Sequence, residues 1–267
     1  MLFDIDGVIR DVAGSYRRAI QETVQHFSGW SPATEQIDTL KGEGCWNNDW
    51  EASLELLRRR RSVDPTGPWH LPTLEQVVNV FSGHYFGGDP EGDPAAWGGL
   101  IGNEPLLVEP AFFDGLSQAG CAWGFVSGAE PPSARFVLES RLGLAQPAVI
   151  AMGDAPDKPD PTGLLQLAAD LLRRAGWGGL GADAPPVAYL GDTVADVQTV
   201  QRARQRRNDQ RFISLAVAPP HLHGPGQTGA RGRYEQLLLQ AGADHILPST
   251  PALASQLERW LPPSGQG

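Results

Sequence analysis

With 267 residues the chain is long enough for one good hydrophobic core or two modest ones. Its 31 acidic against 21 basic residues, a formal net charge of -10, argue against nucleic acid or an anionic membrane as partner, although a small anionic ligand is compatible if a metal and one or two cations neutralise it locally. No apolar run approaches the ~20 residues of a membrane span, no basic-then-apolar leader opens the chain, and Cys45 and Cys121 stand in no metal-ligand spacing, so the expectation is a soluble, cytoplasmic protein without a disulfide framework or a zinc site.

The opening stretch, Phe3-Asp4-Ile5-Asp6-Gly7-Val8-Ile9, is an apolar strand that ends in two carboxylates one residue apart, followed by a glycine able to turn sharply. Two acids at the carboxyl end of a strand sit where open α/β sheets place their ligands, and they repel unless a cation or a proton separates them. An Asp-Gly turn with an extra acid on its shoulder is the plain alternative. Only Met1, Leu2 and Phe3 precede Asp4, against a usual strand of ~5–6 residues, so the natural chain is expected to begin upstream.

Ser15 is placed to cap a helix whose Tyr16, Ala19, Ile20, Thr23, Val24 and Phe27 share one face. A second helix is predicted from Asn48 or Asp49, with Trp50, Leu54 and Leu57 on one side and the run Arg58-Arg59-Arg60-Arg61 at its end, where arginines suit the negative pole of the helix or, alternatively, a phosphate. Thr73 and Gln76 form a capping-box pattern before Leu74, Val77, Val78, Phe81 and Tyr85, a third amphipathic helix. The Gly- and Pro-rich segment 83–105 is then predicted to be a loop and a domain boundary, acting as a hinge or lid or partly disordered.

From Leu106 the texture changes to strands separated by helices. Strands are predicted at Cys121 to Val126, Ala148 to Met152, Val187 to Leu190, Phe212 to Val217 and His245 to Leu247. Helices are predicted at Pro132 to Arg141, Pro161 to Ala175, Val194 to Arg204, Tyr234 to Ala241 and Thr250 to Leu261. This alternation predicts an α/β fold, a Rossmann-like doubly wound parallel sheet, with residues 1–12 and 106–267 as a core and 13–105 as an α-helical insert.

Three further places carry candidate chemistry. Ser127 ends a predicted strand beside Gly128 and the next helix, a place for a phosphate oxygen or simply for a helix cap. Lys158 stands between prolines in Asp157-Lys158-Pro159-Asp160-Pro161, which restricts its stem and lets it face a bound anion, or solvent. Asp192 and Asp196, in Gly191-Asp192-Thr193-Val194-Ala195-Asp196, bring carboxylates to the sheet edge of Asp4 as oxygen ligands for a hard cation, unless Asp192 is an N-cap and Asp196 an ordinary first-turn acid.

Taken together, Asp-x-Asp-Gly-Val, the strand-end serine, Lys-Pro-Asp-Pro and Gly-Asp-x-x-x-Asp occur in the order of the four motifs of the haloacid dehalogenase-like superfamily, which the chain resembles. The helical insert after the first motif is similar to the cap of its subfamily I, the phosphoglycolate-phosphatase-like branch. The resemblance implies a magnesium-dependent phosphatase acting on a small soluble phosphorylated metabolite. Asp4 would be the nucleophile that forms an aspartyl-phosphate and Asp6 the acid/base; Ser127, Gly128 and Lys158 would hold the phosphate. Magnesium would be bound by Asp4, the backbone carbonyl of Asp6, Asp192 and Asp196. Asn47, Asn48 and Asp49, in a polar loop of the cap, are candidates for contact with the leaving group, or equally a helix cap. A phosphomutase of the β-phosphoglucomutase type and a non-catalytic phosphoester-binding protein are the alternatives.

Overall fold

Leu2 and Phe3 make a strand of only two residues, yet they occupy the middle of the sheet. In the computed structural model, which describes residues 1–43, 46 and 48–259, six strands lie parallel: β1 (Leu2–Phe3), β2 (Gly124–Val126), β3 (Val149–Ile150), β4 (Val187–Gly191), β5 (Phe212–Val217) and β6 (His245–Leu247). Their order is β3-β2-β1-β4-β5-β6. The chain winds outwards from β1 to β3, returns to the other side of β1 at β4, and winds outwards again. The reversal between β1 and β4 is the topological switch point at which such sheets leave a crevice beyond their strand ends.

Nine helices separate the strands: α1 (Tyr16–Ser28), α2 (Thr34–Lys41), α3 (Asp49–Val63), α4 (Leu74–Phe86), α5 (Pro110–Gln118), α6 (Pro131–Arg135), α7 (Thr162–Arg174), α8 (Val194–Arg206) and α9 (Thr228–Ala241), as described. Because side chains alternate across a strand, both faces of the sheet must be covered. Phe3, Phe125 and Leu190 point to one side, where Phe113 of α5 and Val137 meet them. Leu2, Val126 and Tyr189 point to the other, against Leu164 and Leu167 of α7 and Val200 of α8. The result is an α/β doubly wound fold.

The chain divides into two compact units, Met1–Asp11 with Pro105–Gly267, and Val12–Glu104. Within the first, the outgoing and returning strands of chain are tied by Asp11 N donating to Pro105 O (2.8 Å) and Leu107 N to Ile9 O (2.8 Å). The second is helical. Tyr16 of α1 stacks on Tyr85 of α4 with ring centroids 4.6 Å apart, and the buried Glu104 accepts hydrogen bonds from the Tyr85 and Ser15 hydroxyls. Among the described residues no helix is long and apolar enough to cross a membrane.

Several elements differ from their sequence-based expectation. Ser15 does not cap α1, because its hydroxyl is spent on Glu104 and Val12 O. Thr73 and Gln76 do make a reciprocal capping box, but Leu74 is exposed instead of sharing the buried face of α4. The arginine run lies within α3 and is held locally: Arg59 bridges Glu43 and Glu55, and Arg61 donates to Gly67 O and Trp69 O.

Segment 83–105 is not one loose loop. Helix α4 continues to Phe86, and the segment then returns against it, with Gly99 N donating to Phe86 O (2.9 Å) and the Trp97 ring 4.8 Å from that of Phe86. A Cβ on Gly99 would fall 2.4 Å from the backbone of Phe86, so this glycine serves close approach. Strand β2 starts only at Gly124, since Cys121 N closes the end of α5 on Leu116 O. Helices α2 and α5 were not expected. The predicted helix from Pro132 widens into a π turn at Phe136–Arg141, and the predicted last helix is a 3-10 helix, Thr250–Arg259.

Candidate active site

The site is built on the two strands that flank the switch point. Asp4 N donates to Leu190 O (2.9 Å), which brings the residue after β1 beside the end of β4, and Asp192 follows two residues on. After Asp4 the chain closes a tight turn: Ile5 O accepts from Ile9 N (2.7 Å) and Arg10 N (3.2 Å), and Gly7 N donates to Arg10 O (2.9 Å). Gly7 adopts φ 75°, and a Cβ there would stand 2.0 Å from Asp192 Oδ2. The Asp192 carboxylate therefore packs directly on this turn. Gly7→Ala is expected to destabilise the protein by about 1–3 kcal/mol, from the positive φ and the collision together, read as a shift of the urea unfolding midpoint.

Asp4, Asp192 and Asp196 are all buried, and a carboxylate oxygen of each lies within 4.8 Å of the others. One cation is built in among them. Lys158 Nζ is 2.9 Å from Asp4 Oδ2, 2.6 Å from Asp196 Oδ1 and 3.3 Å from the Tyr189 hydroxyl. Asp196 is the best supported acid: Lys158 and Tyr189 approach its Oδ1, while Thr193 N (3.0 Å) and Oγ1 (2.6 Å) donate to its Oδ2. Thr193, not Asp192, is thus the N-cap of α8, with Asp196 its capping-box partner.

The electrostatics follow from burial. Burial drives the Asp4 pKa up and Lys158 pulls it back, and with Asp196 and Asp6 adding repulsion it comes to rest at about 6. Asp192 is pushed well above the usual carboxylate range by burial and by its neighbours Asp196 and Asp4. For Asp196 burial acts in the same direction, but the Lys158 charge and the bonds from Lys158, Thr193 and Tyr189 outweigh it and lower the pKa. Burial likewise opposes the charge on Lys158, yet Asp196 and Asp4 hold its pKa well above the ordinary lysine value. Three buried acids around one ammonium are short of positive charge. An all-oxygen donor set with that shortage fits a hard divalent cation such as magnesium, which would hold Asp4 and Asp192 ionised and balance their charge.

Ser127 follows β2. Its N donates to Ile150 O (3.0 Å), its Oγ accepts from Ala129 N (3.2 Å), and with Gly128 and Lys158 it lines one small pocket. Asp6 lies apart from the three clustered acids, with Oδ1 2.6 Å from Arg10 Nε and its side chain a quarter exposed. Asn47 lies outside the described residues. Asn48 caps α3, its Oδ1 accepting from Trp50 N and Glu51 N, and Asp49 is ion-paired with Lys41.

Tyr189, Thr193 and Arg10 are site neighbours that the sequence reading passed over. Tyr189 looks like any aromatic in a buried strand. Thr193 carries a signal, a threonine three residues before an acid at a helix start.

The sequence model of the family described as haloacid dehalogenase-like hydrolase matches residues 1–204. A relative from Phytophthora nicotianae, named imidazoleglycerol-phosphate dehydratase, is 32% identical over 268 aligned positions, covering 97% of this chain and 51% of that protein. The chain spans about half the length of the curated relative it matches. Among solved structures, a phosphonoacetaldehyde hydrolase-like protein from Oleispira antarctica superposes with a TM-score of 0.66 at 16% identity, over 98% of this chain and 94% of the other. A phosphatase from Thermococcus thioreducens does so with a TM-score of 0.57 at 21% identity, over 89% and 98%. At these identities the structures share the fold; membership is carried by the family match across most of the chain, and the protein is a hydrolase of the haloacid dehalogenase-like family.

Proposed function

We propose that the protein is a magnesium-dependent phosphatase that hydrolyses a small soluble phosphomonoester of the cytoplasm through an aspartyl-phosphate. The observation that carries this reading is the buried trio Asp4, Asp192 and Asp196 sharing the single ammonium of Lys158. In the proposed reaction an Asp4 oxygen forms a bond to phosphorus as the bond from phosphorus to the leaving oxygen breaks. Asp6 gives that oxygen a proton, then takes one from the water that opens the acyl phosphate and restores Asp4. Ser127 Oγ, the Gly128 N–H and Lys158 Nζ hold the phosphoryl oxygens, so positioning and charge neutralisation supply most of the rate.

Asp4, the backbone carbonyl of Asp6 and Asp192 would hold the magnesium ion, with Asp196 contributing mainly through Lys158. When bound, the ion neutralises phosphoryl charge and orients the ester. The name of the Phytophthora relative supplies the first leaving group to try, an imidazole-bearing alkyl chain.

The test is inorganic phosphate release from a panel of phosphomonoesters, imidazoleglycerol phosphate among them, with and without magnesium. Metal-dependent release from a narrow subset is the expected result. Transfer of the phosphoryl group within a sugar phosphate without net release would favour a mutase instead, and tight binding without turnover a phosphoester-binding protein.

A further inference from the structure

Among the described residues Arg10 is the largest side chain that the fold buries completely. A guanidinium in that position is costly unless its partners are well placed, and a residue needed only to fill the turn after Asp4 would be apolar. Arg10 Nε meets Asp6 Oδ1 at 2.6 Å, and Nη2 donates to Ser133 Oγ of α6 at 2.7 Å. Its own backbone closes the turn at both ends, N to Ile5 O and O from Gly7 N. The guanidinium is planar and its donors point in fixed directions. Anchored on Ser133 by Nη2, it presents Nε to Asp6 from one direction only.

We propose that Arg10 is the positioning residue of Asp6: it fixes one carboxylate oxygen so that the other keeps a set orientation for proton transfer. This rests on the phosphatase reading, in which Asp6 protonates the leaving oxygen. In this assignment Arg10 acts through Asp6, and Ser133 acts at one remove through Arg10. The consequence is selective. Esters whose leaving alcohol must be protonated depend on Arg10; esters whose leaving phenolate departs unprotonated do not depend on it to the same degree.

The experiment compares Arg10→Lys, Arg10→Met and Ser133→Ala with the wild type, using the best alkyl phosphate from the panel and 4-nitrophenyl phosphate. General acid catalysis is worth about 100- to 10,000-fold, and a misplaced acid forfeits part of it, so kcat for the alkyl ester should fall about 10- to 100-fold further than kcat for the aryl ester, with KM little changed. Ser133→Ala should show the same selectivity in smaller degree. In an Asp6→Asn background the Arg10 substitutions should add little, because the group they act through is gone. Arg10→Lys keeps the charge and carries the test if Arg10→Met does not fold. Equal losses on both esters, or full additivity with Asp6→Asn, would reduce Arg10 to a structural residue and overturn the inference. Absence of phosphate release from any ester by the wild type would instead overturn the phosphatase reading, and the inference with it.

Discussion

Replacing Asp4 with asparagine is expected to lower phosphate release by about 10,000-fold or more while making the metal-free protein more stable at pH 8. Loss of a nucleophile typically removes catalysis on that scale. The gain in stability follows from the electrostatics of the site. Asparagine can still accept the bond from Ile5 N, now 2.8 Å from Asp4 Oδ1, so the local backbone keeps its partner. What disappears is a buried negative charge held near two others. With the Asp4 pKa at about 6 in the fold and 3.8 unfolded, the native state binds more protons between those values. Wild-type stability therefore falls as pH rises from about 4 to about 6, by about 3 kcal/mol from this group, and stays lower above that. Urea unfolding in the presence of a chelator should find Asp4→Asn ahead at pH 8 and level with the wild type near pH 4. Adding magnesium should narrow the gap at pH 8, since an ion that binds the native site stabilises it by mass action.

Lys158→Met should move stability the other way. Methionine keeps most of the stem but leaves Asp4 and Asp196 without their shared ammonium, and breaking a buried pair by removing one partner costs about 3–5 kcal/mol. Phosphate release should fall about 100- to 1,000-fold, the usual cost of one lost donor at a developing charge. The sign with pH is opposite to that of Asp4. Because the Asp196 pKa is lowered in the fold, the stabilisation it draws from Lys158 is present above about pH 4 and is lost as pH falls through the folded value, so the deficit of Lys158→Met should shrink in acid. Two neighbouring substitutions with opposite effects on stability and the same direction of effect on turnover would separate charge balance from catalysis. A Lys158→Met protein as stable as the wild type would show that the lysine does not neutralise the acids.

The sheet was legible because its strands are short apolar runs that stop abruptly at polar residues. Asp4, Ser127 and Asp192 stand at those stops, and Lys158 between its prolines, so the places where chemistry can sit were marked by the same pattern that marked the strands. Their convergence into one site was legible only through the family resemblance, not from the pattern itself. That Asp4 lies beside Asp192 depends on β1 pairing with β4, and nothing in the linear order of the strands says which of them meet. Tyr189 was hidden because a buried strand aromatic and a hydroxyl that serves Asp196 have the same one-letter environment. Arg10 left a trace, a charged residue directly after Val8-Ile9, which carries meaning once the turn that swings it under Asp6 is known. Helix α5 was missed because Gly115 weakens its propensity and its core-facing residues, Phe112, Phe113 and Leu116, are too few to show a helical period. The glycines at 87 and 99 looked like slack and serve backbone contact instead.

The central position of β1 has a consequence for the order of assembly. Leu2 needs Gly124 on one side and Tyr189 on the other. During synthesis at about 5–20 residues per second, the first strand is made roughly 10–40 s before its second neighbour exists. The helical unit, whose contacts are more local, can form in that interval, but the strand cannot. Asp4 and Lys158 thus share a high-contact-order core that closes only when most of the chain is present. Appearance of activity during refolding is expected to trail the appearance of helical signal, and a nascent chain halted before β4 should expose Leu2 and Phe3 to chaperones.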